Sequence, residues 1–458
     1  MKEKKYLKWY QKMAYGSGDA AANCGYALIS SFMMLYLTNS VGLNSAIIGT
    51  LMMVSRIFDG VTDIIFGTLI DHTKSKLGKA RPWMLYGQIG VSLCLFLVFC
   101  IPDVSEGMQY AYFFVFYTAF NAIFFTMNNI AYATLSALIT RNSEERVQLG
   151  ALRSIFALAM TMFVMTATTG LVENFGGGAK GWRAVAFIFA VLGLAINTVS
   201  CLMVKELSDD ETAVDSKDNK PKDDVKFTEA LKLLLKNKYY IIMVGLYLLV
   251  YSANSIAQGS GIYMAKYYFG NDSLLGIITL VKMVPMVLAM VITPLLVKIF
   301  KSIQKVSLFG YILAIISGCV QIFAASQMNI GLFLVATAIT GIAISPFSGS
   351  TNALLAETAD YTRRTQKAHV EGMVFSCSSI GVKLGGGIGS AIVGILLEIG
   401  RFDGMAAVQA GSAIQMIFFM YAILPVIINV GITILLKCLK VEKANEQWDL
   451  DHKQEANV

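Results

Sequence analysis

Charge is scarce in this chain. Only 15% of its 458 residues are Asp, Glu, Lys or Arg, and 56% are apolar, against about 25% charged and 45–50% apolar in a soluble domain. Histidine is rarer still, with His72, His369 and His452 the whole complement, each near or beyond the edge of an apolar run. A membrane-embedded enzyme needs a nucleophile–base or metal constellation inside a span, and three peripheral histidines supply none. The seven cysteines (Cys24, Cys94, Cys100, Cys201, Cys319, Cys377, Cys438) fall inside apolar segments or at their ends. Without a CxxC pair or metal-ligand spacing they read as small apolar residues with free thiols. No GxxxxGK[ST] loop occurs, so there is no sign of ATP-driven pumping. A cleavable leader is not expected, because the first long span is too polar and no small-residue cleavage site follows a short apolar core.

What remains is apolar sequence, at a mean hydropathy of +0.61. No soluble core absorbs such an excess without large apolar patches in water, whereas a membrane-spanning helix requires about 20 mostly apolar residues. Apolar runs bounded by charge or by Gly and Pro predict spans over 15–39, 45–70, 82–101, 109–139, 150–172 and 182–204. Six more follow at 236–265, 274–299, 304–326, 329–355, 371–398 and 410–436. The gap between the sets, dense in aspartate (Asp209, Asp210, Asp215, Asp218, Asp223, Asp224), reads as a polar linker with a short amphipathic helix at 226–235. The expected division is an N-terminal six-helix half over 1–204, a linker over 205–235, a C-terminal half over 236–440 and a tail over 441–458. Two six-helix halves about a polar linker match the architecture of many secondary transporters.

Lys and Arg give the orientation. With both termini inside the cell, four of the 37 basic residues lie in outer loops (Lys180, Arg183, Lys266, Arg401) and three within spans (Arg56, Lys282, Lys383). The other 30 fall on the cytoplasmic side. The formal charge of +7 is thus a loop property, and no nucleic-acid partner is implied. A multi-pass protein of the cell membrane is expected, working in lipid as a monomer.

Charges inside a span are costly unless paired or solvated, so they are functional candidates. Arg56, Asp59 and Asp63 follow at spacings of three and four, which places all three on one face of span 2. Two carboxylates about 6 Å apart on a helix face need a cation beside them or must share a proton; an internal salt bridge to Arg56 that fixes packing is the other reading. Span 1 carries Asp19 and Asn23 one turn apart, with Tyr26 further along that face; span 4 carries Thr126, Asn128 and Asn129 beside Tyr132. Amides and aromatic rings suit a sugar's hydroxyls and C–H faces, and they equally serve interhelical packing. Lys383 lies about 18 Å along span 11 at ~1.5 Å per residue, too deep for easy snorkelling. Lys282, closer to a membrane edge, reads as a snorkelling residue. Gly381, Gly385 and Gly389 recur every fourth residue and permit close helix approach, static or sliding.

The stretch GTLMMVSRIFDGVTDIIFGTLIDHTKSKLGKARPWMLYG (49–87) resembles the glycoside–pentoside–hexuronide:cation symporters of the major facilitator superfamily, the family of the melibiose carrier. YGSGDAAAN (15–23), RNSEERVQLGALR (141–153), ETADYTRRTQKAHVEG (357–372) and FSCSSIGVKLGGGIG (375–389) extend the resemblance across both halves, from about 15 to 435. It implies an all-α membrane protein of twelve transmembrane helices with the major facilitator fold. It implies a cation site at Asp59 and Asp63, with Thr62 and Thr126 as further oxygen donors and H+ or Na+ as the coupling ion. No other cofactor is implied, and no metal beyond Na+ at the two aspartates. A substrate site is implied at Asp19, Asn23, Tyr26, Asn129, Arg153 and Lys383, with Lys383 near the cation carboxylates. The loop residues Asp71, Lys74 and Arg81 match the superfamily's signature between helices 2 and 3 and are expected to gate the cytoplasmic side.

The departures bear on substrate. The two aspartates that hold galactosides in the melibiose carrier align with Asn23 and Asn129, and the tryptophan that follows aligns with Ala133. Neutral amides tolerate an anionic sugar such as a hexuronide, which Arg153 and Lys383 would meet; they also suit neutral xylosides or glucosides. The reading is a secondary transporter, not an enzyme, importing a saccharide with a cation by alternating access, the sugar lined by spans 1, 4, 5 and 11. A proton-coupled exporter of small molecules on the same fold is the alternative. The asparagines and cationic residues disfavour it, because exporter pockets are apolar and aromatic-rich.

Overall fold

The computed structural model describes residues 5–73, 75–140, 142–207, 234, 236–366, 371–406 and 408–455, and no strand occurs among them. Among the described residues, eleven stretches are long and apolar enough to cross a membrane. A twelfth long helix among the described residues is α2 (Ser45–Asp71), which carries Arg56, Asp59 and Asp63. The first half continues α1 (Trp9–Tyr36), α2, α3 (Arg81–Val98), α4 (Glu106–Thr118), α5 (Thr126–Ile139), α6 (Ser143–Asn174) and α7 (Gly178–Leu202). The second runs α8 (Lys238–Tyr263), α9 (Leu274–Phe300), α10 (Ile303–Ser326), α11 (Ile330–Gln366), α12 (Glu371–Ile399), α13 (Gly411–Phe418), α14 (Leu424–Cys438) and α15 (Val441–Glu455). A π-helical segment, Ala119–Phe125, joins α4 to α5 within one span, and another, Phe419–Ile423, joins α13 to α14. The segment with most of the linker aspartates and the expected amphipathic helix lies outside the described residues, as does Lys74.

By packing, the chain divides into two compact units. One comprises Met1–Lys220 with Gln258–Gly276 and Ser390–Ile417; the other comprises Pro221–Ala257, Ile277–Gly389 and Phe418–Val458. In the first, most of α1 from Lys12 to Tyr36 is buried, while Trp9 and Tyr10 at its start are exposed. It begins before the apolar run does because Lys12 is not solvated: its Nζ lies 3.0 Å from Glu145 and donates to Gln148 at 2.8 Å. At one end of the unit, Tyr15, Met84, Tyr132, Leu135 and Cys201 pack in a common core. The second unit has its own core, of Tyr239, Met243, Tyr247, Tyr311, Phe347 and Leu436 among others. There the glycine stripe of α12 lies on α8: Ser252 donates to the Gly385 carbonyl at 2.9 Å and Ser255 to that of Gly386 at 2.8 Å.

The same device closes a helix start in each unit. Glu206, just past α7, accepts the backbone N–H groups of Lys79, Ala80 and Arg81 at 2.7, 3.0 and 3.1 Å. Glu442, just past α14, accepts Ile303 and Gln304 N–H at 2.8 and 3.0 Å, with the Ser302 hydroxyl at 2.6 Å. Each carboxylate satisfies donors that the first turn of a helix leaves unpaired and sits at the positive end of its dipole.

At the opposite end of the first unit, the ends of α1 and α8 unwind into π-helical turns, Leu37–Val41 and Met264–Tyr268. They meet through hydrogen bonds of Thr38 to Tyr263 (3.2 Å) and Asn39 to Tyr267. Beside them α2 packs backbone to backbone on α12. Ser45 donates to the Gly394 carbonyl at 3.0 Å, and Asn44 Nδ2 to Glu398 at 2.8 Å.

Candidate functional site

Two polar clusters occupy the interior of the first unit, strung along one strip of α1. The first is built on Asp19. Arg153, from α6, donates through Nε to Asp19 Oδ2 at 2.7 Å and through Nη2 to Oδ1 at 3.4 Å, a two-point grip on the carboxylate. The guanidinium lies over the Tyr132 ring, 4.3 Å from its centroid, close enough for a cation–π attraction. That ring is itself fixed: Tyr15 and Tyr132 stack at 4.7 Å, and each hydroxyl donates to the other's carbonyl, at 2.9 and 2.6 Å. Only glycine fits at position 18, where a Cβ would stand 2.6 Å from the Tyr132 ring. Asn23, one turn on, donates to the Asp19 carbonyl at 2.8 Å and accepts from Thr161 at 3.4 Å.

The second cluster surrounds Asp59, which is 5% exposed. Its Oδ1 accepts from the Thr126 hydroxyl and its Oδ2 lies 3.8 Å from Arg56 Nη1. Arg56 also reaches Tyr26, whose hydroxyl is 3.4 Å from Nη2, and Tyr26 stacks on Phe125 at 5.3 Å. The π-helical segment supplies the placement of Thr126. An extra residue in the turn leaves the Asn121 carbonyl within 2.9 Å of its hydroxyl, so the side chain projects at α2 rather than along its own helix. Such bulges are frequent at functional sites. Asp19, Asn23 and Tyr26 share one helix face, and seven residues at ~1.5 Å each separate the clusters by about 10 Å along α1.

Of the residues expected in a cation site, Asp59 and Thr126 are in direct contact. The Thr62 hydroxyl donates to the Asp59 backbone carbonyl at 3.1 Å, back along its own helix. Asp63 is half-buried one turn beyond Asp59. Of the substrate set, Asp19, Arg153 and Asn23 come together and Tyr26 joins the Arg56 cluster. Asn129 is exposed, its neighbour Asn128 being the buried amide, which donates to Gln88 at 2.7 Å. Lys383 is half-buried on α12 in the other unit. Of the gating set, Arg81 is buried, its Nε donating to the Cys201 carbonyl at 3.0 Å and its Nη1 to that of Leu77 at 3.3 Å. Asp71 ends α2, its side chain outside the described residues, and Lys74 falls outside them altogether.

Sequence reasoning missed Tyr15, Thr161, Gln88 and Asn121. Asn121 is fully buried and its Oδ1 has no hydrogen-bond partner among the described residues. A buried amide between phenylalanines is a visible signal, but nothing local marks the bulge that carries it. A cavity of about 440 Å³ lies elsewhere in the unit, lined by Asn39, Glu173, Trp182, Lys266, Tyr267 and Asp272; it shares no residue with either cluster.

Long apolar helices packed around buried ion pairs are the makings of a polytopic membrane protein with polar chemistry in its interior. The MFS/sugar transport protein family model matches residues 14–443, and the chain belongs to that family. It is 29% identical to the isoprimeverose transporter of Lactiplantibacillus pentosus, over 98% of this chain and 92% of the relative. It is 24% identical to the glucuronide carrier protein homolog of Escherichia coli (strain K12), over 86% and 85%. Among solved structures, the D-xylose-proton symporter aligns with a TM-score of 0.62 at 14% identity, covering 93% of this chain and 97% of that one. The nucleoside transporter NupG aligns at 0.65, also at 14% identity, over 93% and 99%. These likenesses establish the major facilitator fold.

Proposed function

We propose that this chain is a saccharide:cation symporter of the cell membrane, with both termini cytoplasmic and H+ as the coupling ion. The observation that carries the reading is the pair of clusters on one face of α1, one centred on a buried carboxylate and the other on a guanidinium, amide and tyrosine set. The names of the relatives, an isoprimeverose transporter and a glucuronide carrier homolog, agree with a sugar as cargo.

Asp59 is the cation residue. A proton asks for that carboxylate alone, and when it binds, the attraction of Asp59 for Arg56 and the Thr126 hydroxyl weakens. Arg56 then leans on Tyr26, which sits on the same helix as the sugar-site residues Asp19 and Asn23. Occupancy at Asp59 therefore reaches the sugar site through a single rigid element. Binding both ligands lowers the cost of occluding the site during alternating access, whereas one ligand alone leaves polar groups unsatisfied.

The test is substrate-induced pH change in proteoliposomes, screening glycosides, pentosides and hexuronides with and without Na+. Alkalinisation outside right-side-out vesicles on adding one sugar supports H+ symport. Sodium-dependent uptake without a pH change gives Asp59 to Na+ instead. Silence across the panel in both conditions refutes the sugar reading.

A further inference from the structure

We infer that the sugar site selects neutral glycosides over uronides, because Asp19 already supplies the carboxylate that a uronide would bring to Arg153. The inference rests on the saccharide reading above. A guanidinium recognises a carboxylate through two parallel N–H donors, and in this chain Asp19 takes that place, at 2.7 and 3.4 Å. The pair sums to zero charge. The arginine's face is also taken, by Tyr132 at 4.3 Å, and the tyrosine is held by Tyr15 from the far side. Arg153 is thus fixed on one edge and one face.

The Asp19 and Arg153 side chains are 15% and 24% exposed, so their attraction is only partly screened by water. A uronide that reached Arg153 would have to displace Asp19 or sit against it, two carboxylates sharing one guanidinium. A glucoside carries a hydroxymethyl where the glucuronide carries a carboxylate, and a hydroxyl both donates to Asp19 and accepts from Arg153. Asp19 is therefore a specificity-determining residue: it excludes anionic sugars and accepts neutral ones. The two amides on which sequence reasoning left this choice open, Asn23 and Asn129, do not decide it. Asn23 is bonded at both ends of its amide, and Asn129 is exposed.

The experiment compares equilibrium binding of nitrophenyl xyloside, nitrophenyl glucoside and nitrophenyl glucuronide to the purified full chain and to Asp19→Asn. The wild type should prefer the better neutral glycoside over the glucuronide by at least tenfold, and Asp19→Asn should shrink that ratio at least tenfold. A wild-type preference below tenfold, or an unchanged ratio in a folded Asp19→Asn protein, overturns the inference. Asp19→Ser serves as a second neutral variant, and the wild-type ratio decides alone if neither folds. Absence of binding by all three probes, and by the wider panel above, would refute the saccharide reading itself. Glucuronide binding without neutral binding would keep that reading and refute this one.

Discussion

A methyl group at position 394 should pry open one end of the first unit. Gly394 faces α2 so closely that a Cβ there overlaps the Ser45 carbonyl oxygen and stands 3.1 Å from Gly49 Cα. Carbon atoms prefer about 3.5–4.0 Å, so α2 and α12 must part by roughly half an ångström or more. Parting stretches the Ser45–Gly394 hydrogen bond, now 3.0 Å. Overpacking of this kind costs about 1–3 kcal/mol, and at 1.4 kcal/mol per decade the packed contact loses about 5- to 150-fold in population against a parted one. The neighbouring Thr38, 4% exposed and bonded to Tyr263, reports the change. In a Thr38→Cys background, Gly394→Ala should speed labelling of position 38 by a membrane-impermeant maleimide, read by peptide mass spectrometry. The reagent is applied from the side of the α1–α2 loop, which is outside in the proposed orientation. Gly170→Ala, where a Cβ would meet nothing within 4 Å, is the control. Equal labelling in the two variants refutes the close-contact argument.

Asp59→Asn should abolish gradient-driven sugar accumulation while sparing some facilitated exchange; full concentrative uptake by that variant would remove Asp59 from the coupling role. Glu206→Ala leaves three N–H groups at the start of α3 without a carboxylate, a loss of about 1–2 kcal/mol, the upper part of the range for a cap. Its melting temperature in detergent should fall further than that of Glu206→Gln, which keeps an acceptor oxygen, and equal melting would argue against the cap. Burial works to raise the Glu145 pKa, but hydrogen bonds from Thr140, Lys12 and the N–H groups of Tyr6 and Leu7 outweigh it and hold the carboxyl below its ordinary 4.5. Its stabilisation is therefore complete above about pH 4.5 and drains away as pH falls through the lowered value. Proteolysis ahead of α1 should accelerate in that acid window in the wild type, while Glu145→Gln should show little pH dependence there.

The helices were legible because lipid demands long apolar runs, and the expected spans 45–70 and 371–398 differ from α2 and α12 by a residue at most. Boundaries were misread where a charge is internally paired. The first span was expected from residue 15, yet α1 begins at Trp9, with Lys12 buried on Glu145. The span ending at 355 extends as α11 to Gln366, a continuation whose Arg364 pairs with Asp449 at 3.1 Å. The span 2 charges were legible as one helix face. The Asp19–Arg153 pair was not: both residues were expected at the substrate site, but nothing local pairs side chains that stand 134 residues apart. Nor was the π-helical turn before Thr126, which has no proline or glycine to announce it.

The carboxylates that cap α3 and α10 have a consequence for biogenesis. Each follows the last long helix of its own half, so the third helix of a half is finished only when the ribosome has delivered that half's final turn and the residue just beyond it. Glu206 completes the first set before any of the second is made, and Glu442 completes the second without drawing on the first. Each half thus carries its own closing stitch at its trailing end. A gene cut within the polar linker should yield two polypeptides that insert separately and keep both stitches, whereas a cut a few codons earlier, before Glu206, should leave the first fragment prone to degradation.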